Sequence, residues 1–331
     1  AASSSEPVDA AQPGRNGAAP AARPRVAVVI PTRDRPALLR RCLDALAAQT
    51  LPAAEVVVVD DGSTPPVPAV PGPGAAGVRV VRLEPGRGPA AARNAGWRAA
   101  SAEIVAFTDD DCRPDPGWLA ALAGRSRPGT VLMGRTLPDP LDGPESAVTD
   151  RTIRITGWSG MFLTCNVLYP RALLEELGGF DEAFPLPYGE DSDLGQRALK
   201  AGAAAEFVDE ALVHHAVHRL GVRALLRERT RITELMRVTR RHPELRHQDL
   251  AGLFVTRDHR VFLEALTGLA LLPVCPGGVA LVERYLHECR CRVGHMPPHR
   301  RARDIAGRAA LDAYEVALCA VGSVRHRTLL L

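Results

Sequence analysis

Lysine is nearly absent from this sequence. Lys200 is the only one, and the rest of the 41 basic side chains are arginine. The preference runs the whole length beside abundant alanine, which marks a coding bias more than a functional patch. A net charge of +3 against 38 acidic residues excludes a nucleic-acid-binding polycation. There are seven cysteines but no paired C-x-x-C, so His287, Cys289, Cys291 and His295 read as helix and loop residues, not a zinc site. An odd set of scattered thiols suits a reduced, cytoplasmic protein. No uninterrupted run reaches the roughly 20 apolar residues of a membrane span. Val261 to Val282 comes nearest, and Glu264, Pro273, Pro276, Gly277 and Gly278 divide it into two short buried or interfacial helices joined by a turn. The Ala/Ser/Pro-rich start, residues 1–24, lacks the apolar core of a signal peptide and reads as a flexible leader. No glycine lies between Ile30 and Asp60, which excludes the G-x-G-x-x-G turn of a dinucleotide-dependent oxidoreductase. There is no internal repeat.

What is present is an ordinary folding composition, 46% hydrophobic and 24% charged, in 331 residues. Val26 to Ile30 and Glu55 to Val59 are apolar on both faces, as buried parallel strands are. Val78 to Leu83 and Glu103 to Phe107 predict two more strands. Pro36 opens a helix carrying Leu38, Leu39, Cys42, Leu43 and Leu46, and Pro89 opens another that runs to Ala100. Strand alternating with helix at this pitch predicts a doubly wound, mostly parallel sheet. Further on, Thr130 to Arg135, Phe162 to Tyr169 and Glu206 to Val217 predict strands; Pro170 to Leu177 and Glu190 to Ala201 predict helices. From Leu220 the pattern is helical and Arg-rich. The expected organisation is a leader over 1–24, a catalytic domain over 25–219 and a helical extension over 220–331.

In open α/β sheets ligands bind beyond the carboxyl ends of the strands, and polar residues crowd those ends. The first strand ends in Pro31-Thr-Arg-Asp-Arg35, the second in Asp60-Asp-Gly-Ser-Thr64, the fourth in Asp109-Asp-Asp111. Three adjacent carboxylates repel one another unless solvated or bridged by a cation, and Asp109 and Asp111 share a face of an extended segment. Asp60, Asp61 and Ser63 offer acceptors for a base N–H and ribose hydroxyls. Arg87, Arg93 and Asn94 frame a helix start that suits phosphate. Gly189-Glu-Asp-Ser-Asp193 begins a helix where a carboxylate can take a proton from an attacking hydroxyl. His214 and His215 are neighbours on a strand, so one at most faces the site.

These elements, in this order, together with Gly178-Gly-Phe-Asp-Glu182, resemble family 2 of the glycosyltransferases over Val26 to His218. The resemblance implies an A-type glycosyltransferase fold and inverting transfer of a sugar from a nucleotide-sugar donor to a hydroxyl acceptor (glycan, lipid-linked or small molecule), in surface-polysaccharide, glycoconjugate or natural-product synthesis. It implies a nucleotide-sugar surface of Pro31, Thr32, Arg33, Arg35, Asp60, Asp61, Ser63, Arg87, Arg93, Asn94, Asp109 and Asp110. It implies Mg²⁺ or Mn²⁺ held by Asp109, Asp111 and the late His215, with Asp111 the more direct ligand. Asp191 would be the general base with Glu190 beside it, and Gly179, Phe180 and Asp181 would face the acceptor. The departure is Cys112, where another acidic residue is common. Arg223, Arg227, Arg229, Arg231 and Arg237 make a basic face on the extension, the candidate for peripheral contact with the inner face of a membrane. The rival readings are a sugar-1-phosphate nucleotidyltransferase, whose Gly-rich, Lys-containing loop is missing, and a non-catalytic nucleotide-sugar-binding module.

Overall fold

The short apolar runs of the first hundred residues form the parallel half of one eight-stranded sheet. The computed structural model describes residues 25–69, 77–184, 186–248, 252–253, 255–294 and 298–330; the expected leader and His295 lie outside them. Strands β1 (Val26–Thr32), β2 (Glu55–Asp60), β3 (Val78–Arg82) and β4 (Ile104–Phe107) pair in parallel in the order β3-β2-β1-β4. Helices α1 (Pro36–Ala47) and α2 (Pro89–Ala99) each place proline in the first turn, where its missing N–H costs nothing. The second half of the sheet is mixed. It adds β5 (Cys112–Pro114), β6 (Thr130–Pro138), β8 (Val167–Pro170) and β9 (Ala204–His215), in the order β8-β6-β9-β5 outward from β4. A separate two-stranded ribbon pairs β7 (Asp150–Arg151) with β10 (His218–Arg219).

Both faces of the sheet are buried, as the apolar runs require. Val26, Val28 and Ile30 pack towards α1 and α3 (Trp118–Arg125). Ala27 and Val29 pack on the opposite side, with α2, α4 (Arg171–Leu177) and α5 (Glu190–Lys200). Helix α3 has no counterpart among the sequence expectations, because eight residues give barely two turns of periodicity. The strand expected from Phe162 begins only at Val167. Phe162 sits at φ 51, in the left-handed region, with its ring filling the place a side chain on Gly195 would need, and Thr164–Asn166 form a 3₁₀ turn.

Beyond β10 the chain is helical: α6 (Val222–Arg229), α7 (Thr233–Arg241), α8 (Leu245–Gln248), α9 (Arg257–Leu271), α10 (Gly278–Arg292) and α11 (Arg301–His326). Helices α9 and α10 are the pair expected over Val261 to Val282, each 15 residues and so longer than expected. They cross at Gly268 and Gly278, where either Cβ would strike the facing backbone. Cys289 is buried and Cys291 exposed, both on α10, as ordinary helix residues. These helices do not stand apart from the sheet domain. Ile232, Leu235 and Met236 pack with Met161 and Tyr188, and Val238 packs with Phe184. Among the described residues no helix is long and apolar enough to cross a membrane.

Helix α2 lies tight against the sheet at Gly96, where a Cβ would overlap Val29 and press on Val59. Gly96→Ala therefore lowers stability by about 1–3 kcal/mol, the usual cost of overpacking. The check is the urea midpoint of unfolding, expected to fall with an unchanged slope.

Candidate active site

The carboxyl ends of β1 and β4, the start of α2 and the start of α5 meet around a cavity of about 720 Å³. Each element stops there for a local reason. β1 ends as Asp34 takes a left-handed turn (φ 55). α5 starts after Gly189 at φ 94, a conformation glycine tolerates, where a Cβ would also overlap Val238. Of the residues expected from the sequence, Pro31, Thr32, Arg33, Arg35, Asp61, Arg93, Asp109, Asp110, Asp111, Glu190, Asp191 and His215 line the cavity.

The acidic triplet is divided among different partners. Asp110 accepts from Thr32 Oγ1 (2.7 Å) and Arg35 Nη1 (3.2 Å). Burial, with the neighbouring charge of Asp111, pushes its carboxyl up to about 6. Asp109 accepts from Arg93 Nη2 at 2.9 Å. Asp111 meets two histidines. His218 Nε2 lies 2.8 Å from Oδ2 and His215 Nε2 lies 3.5 Å from Oδ1. Burial alone would raise Asp111, but the hydrogen bond from His218 and the charges of His215 and Arg35 hold it well below the usual carboxylate range.

One ligand atom from each of Asp111, His215 and His218 lies within 4.8 Å of the others. His215 Nδ1 is 2.8 Å from the Ala216 carbonyl, which can only accept, so Nδ1 carries a proton and Nε2 is the nitrogen turned towards Asp111. One carboxylate and two imidazoles suit a divalent cation. His214 points away from this set, as strand alternation requires, and pairs in register with Arg113. His218 was not among the expected ligands; its signal is the spacing His215-Ala-Val-His218 across the end of β9.

On the opposite wall, Arg93 is only 5% exposed and bridges Asp109 to Glu190 (Nη1 to Oε1, 2.8 Å), with its guanidinium 5.8 Å from the Phe180 ring centre. Glu190 Oε2 is buried without a hydrogen-bond partner among the described residues. Asp191 is half-buried, and Ser192 N donates to its Oδ1 at 2.8 Å. Burial, then the charge of Glu190, pushes Asp191 up to about 7.

Other expected residues build the site from behind. The Asp60 carboxylate lies outside the cavity and closes the turn after β2, accepting from the backbone of Ser63 (2.8 Å) and Val67 (3.0 Å) and from Arg82 Nη1 (2.6 Å). Ser63 lines a neighbouring, more apolar cleft of about 550 Å³ with Leu39, Leu43 and Val67, and its Oγ accepts from Asp34 N. Asp61 accepts from the backbone of Arg87 (2.6 Å) and Gly88 (2.9 Å), fixing the start of α2. The Arg87 side chain turns to Glu182 (2.5 Å). Asn94 clasps the backbone of Phe180 through both ends of its amide, at 2.9 Å each. A Cβ on Gly179 (φ 77) would overlap that amide, and Asp181 pairs with Arg241 (2.7 Å). Gly179, Phe180 and Asp181 thus support the cavity without lining it. Met161, Tyr188, Arg151 and Arg231 line it without having been expected.

Residues 27–171 match the model of glycosyl transferase family 2. A pre-mycofactocin glycosyltransferase of Mycobacterium tuberculosis is 32% identical over 213 residues, covering 60% of this chain and 44% of that protein. A validoxylamine A glucosyltransferase of Streptomyces hygroscopicus subsp. jinggangensis is 32% identical over 268 residues, covering 67% and 62%. The chain thus spans about half the length of these relatives. A mannosyltransferase of Pyrobaculum calidifontis, solved with GDP-Man and Mn²⁺, superposes with a TM-score of 0.55 at 22% identity, covering 94% of this chain and 90% of that one. Its likeness extends through the C-terminal helices and shows the A-type glycosyltransferase fold.

The raised carboxyl of Asp191 has a thermodynamic signature. A group whose folded pKa lies above its unfolded value of about 4 favours the folded state most at low pH, and that advantage is lost as pH rises through about 7. Asp191→Asn abolishes the ionisation, so it raises the unfolding midpoint relative to wild type, by more at pH 8 than at pH 4. Thermal melts across that window check it.

Proposed function

The chain belongs to glycosyltransferase family 2, and from that premise we propose that it moves one sugar from a nucleotide-sugar donor onto an acceptor hydroxyl with inversion at the anomeric carbon. One observation carries the proposal: a single cavity unites Asp111 and His215, backed by His218, with a carboxylate whose proton affinity sits near neutrality. In this reading the acceptor oxygen attacks the anomeric carbon in line with the departing diphosphate. The new C–O bond forms as the old one breaks, the nucleoside diphosphate leaves with the bonding electrons, and the acceptor proton passes to Asp191. A pKa near that of the medium lets Asp191 accept the proton and give it back to water between turnovers. Arg93 binds both Glu190 and Asp109, and Glu190, second to burial, holds Asp191 up.

Asp111, His215 and His218 are the residues that would hold a divalent cation, which supplies neutralising charge to the leaving diphosphate when bound. The loop from Pro31 to Arg35 and the backbone around Gly88 form the donor wall; Met161, Tyr188 and Arg151 form the wall left for the acceptor. The two relatives are named for pre-mycofactocin and validoxylamine A, and the half-apolar acceptor wall suits a small hydroxylated acceptor.

Asp191→Asn lowers kcat by about 10²–10⁴-fold, the usual contribution of a general base. In wild type kcat/KM falls tenfold per pH unit below about 7, because the base is neutral there; in the variant that limb disappears. A pH profile with a turnover-competent sugar donor checks both, and a full-rate variant with an unchanged limb would retire Asp191 as the base. Calorimetry with UDP and GDP checks the cation site. Binding is expected to require Mn²⁺ or Mg²⁺ and to be lost in Asp111→Asn, and metal-independent binding by both proteins would refute it.

A further inference from the structure

Five arginines line the cavity, and four of them have carboxylate partners. Arg33 lies 3.7 Å from Asp34, Arg35 meets Asp110 and Asp111, Arg93 meets Asp109 and Glu190, and Arg151 meets Glu228 at 2.8 Å. Arg231 has no hydrogen-bond acceptor or ion-pair partner among the described residues. It is half-buried, on the single turn Thr230–Ile232 between α6 and α7. Arg35 and Arg151 oppose its charge; Glu190 and Glu228 favour it; burial weighs most and lowers its proton affinity. A desolvated cation facing other cations is unfavourable until an anion joins it.

Its position is not an accident of a loose surface chain. The next residue, Ile232, is buried in the cluster of Leu235, Met236 and Cys319, which holds Met161 and Tyr188 at the cavity edge. The C-terminal helices therefore fix Arg231 from behind while its side chain faces the cavity. A planar guanidinium with all its donors free matches the paired oxygens of a phosphate. The neighbouring charges also locate the anion. Arg35, which acts on Arg231 electrostatically, is itself bonded to Asp111 of the cation-ligand set.

We propose that Arg231 is a phosphate-binding residue of this cavity, delivered by the C-terminal helices, and that its partner is an oxyanion of the donor's diphosphate. The inference rests on the glycosyl-transfer reading above. It makes the helical extension part of the donor site, completing on one side what Asp111, His215 and His218 begin on the other.

The test compares wild type, Arg231→Gln and Arg231→Lys by calorimetry with Mn²⁺ and UDP or GDP. Inorganic phosphate is then titrated into the protein saturated with Mn²⁺ and diphosphate. Arg231→Gln is expected to weaken diphosphate binding by about tenfold or more. Lysine is expected to recover part of the loss, since it restores charge without the fork. The melting temperature of Arg231→Gln stays level or rises, because no internal partner is lost, so weakened binding in a stable protein separates ligand contact from structural support. If diphosphate affinity is unchanged but wild type binds added phosphate and Arg231→Gln does not, the oxyanion belongs to the acceptor and the donor assignment falls. If neither affinity changes, the inference is overturned. A wild type that binds neither diphosphate sinks the glycosyl-transfer reading. Phosphate binding by the nucleotide-free wild type, lost or kept in Arg231→Gln, then decides Arg231 on its own; no binding by the wild type overturns it as well.

Discussion

The cavity holds together because one guanidinium lies between carboxylates that would otherwise repel. Arg93 reaches from the second turn of α2 to Asp109 at the end of β4 and Glu190 at the start of α5. Those carboxylates come from distant parts of the chain, and Asp191 stands next to one of them. Packing them in a poorly solvated corner is unfavourable by Coulomb repulsion and by desolvation together. A permanently charged, forked donor offsets both, and burial does not discharge it because its neighbours raise its proton affinity further. The rest of the site follows from this bridge. With Glu190 held by Arg93, Asp191 is the carboxyl left without an arginine, and with Asp109 engaged, Asp111 is left to Arg35 and the histidines.

The parallel half of the fold was legible because its physics is local. Apolar runs such as Val56 to Val59, bounded by Asp60 and preceded by a proline-started helix, have few other solutions in a chain of this length. The placement of Asp109 to Asp111 at a strand end followed from the apolar run before it; strand alternation allowed only one of His214 and His215 to face the site, and the family resemblance pointed to His215. The mixed half was less legible. Phe162 lies in an apolar run that reads as strand, yet its backbone turns because a niche exists above Gly195, and that niche is a property of two segments brought together.

The same distinction divides the site residues. Asp60, Asn94 and Asp181 carry the polar groups a ligand needs, but turn amides, a loop backbone and Arg241 take them first. A motif records that a residue type is required at a place and does not say whether its partner is substrate or chain. His218 escaped because it stands after the strand that carries its companion. Arg231 escaped for the opposite reason. It sits in a stretch where Arg223, Arg227, Arg229 and Arg237 look the same, and its place on the cavity wall sets it apart.

Helix α5 is fastened at both ends to different bodies. Its first turn carries Glu190 and Asp191 at the cavity, and Asp193, one residue past Ser192, is gripped by Arg241 and His242 from the end of α7. Its last residue, Lys200, reaches Glu244 at 2.8 Å. The helix of 11 residues is thus a rod of roughly 16 Å, packed on the sheet through Leu194 and Ala198, tied to the C-terminal helices at Asp193 and Lys200, and tipped with the carboxylates that face the cavity. A tilt of the bundle by a few degrees is delivered at the rod's tip as a displacement of the carboxylate itself. The helices that follow the sheet domain and the acidic turn at the cavity are thus joined by one continuous helix, so a load on the first is borne by the second.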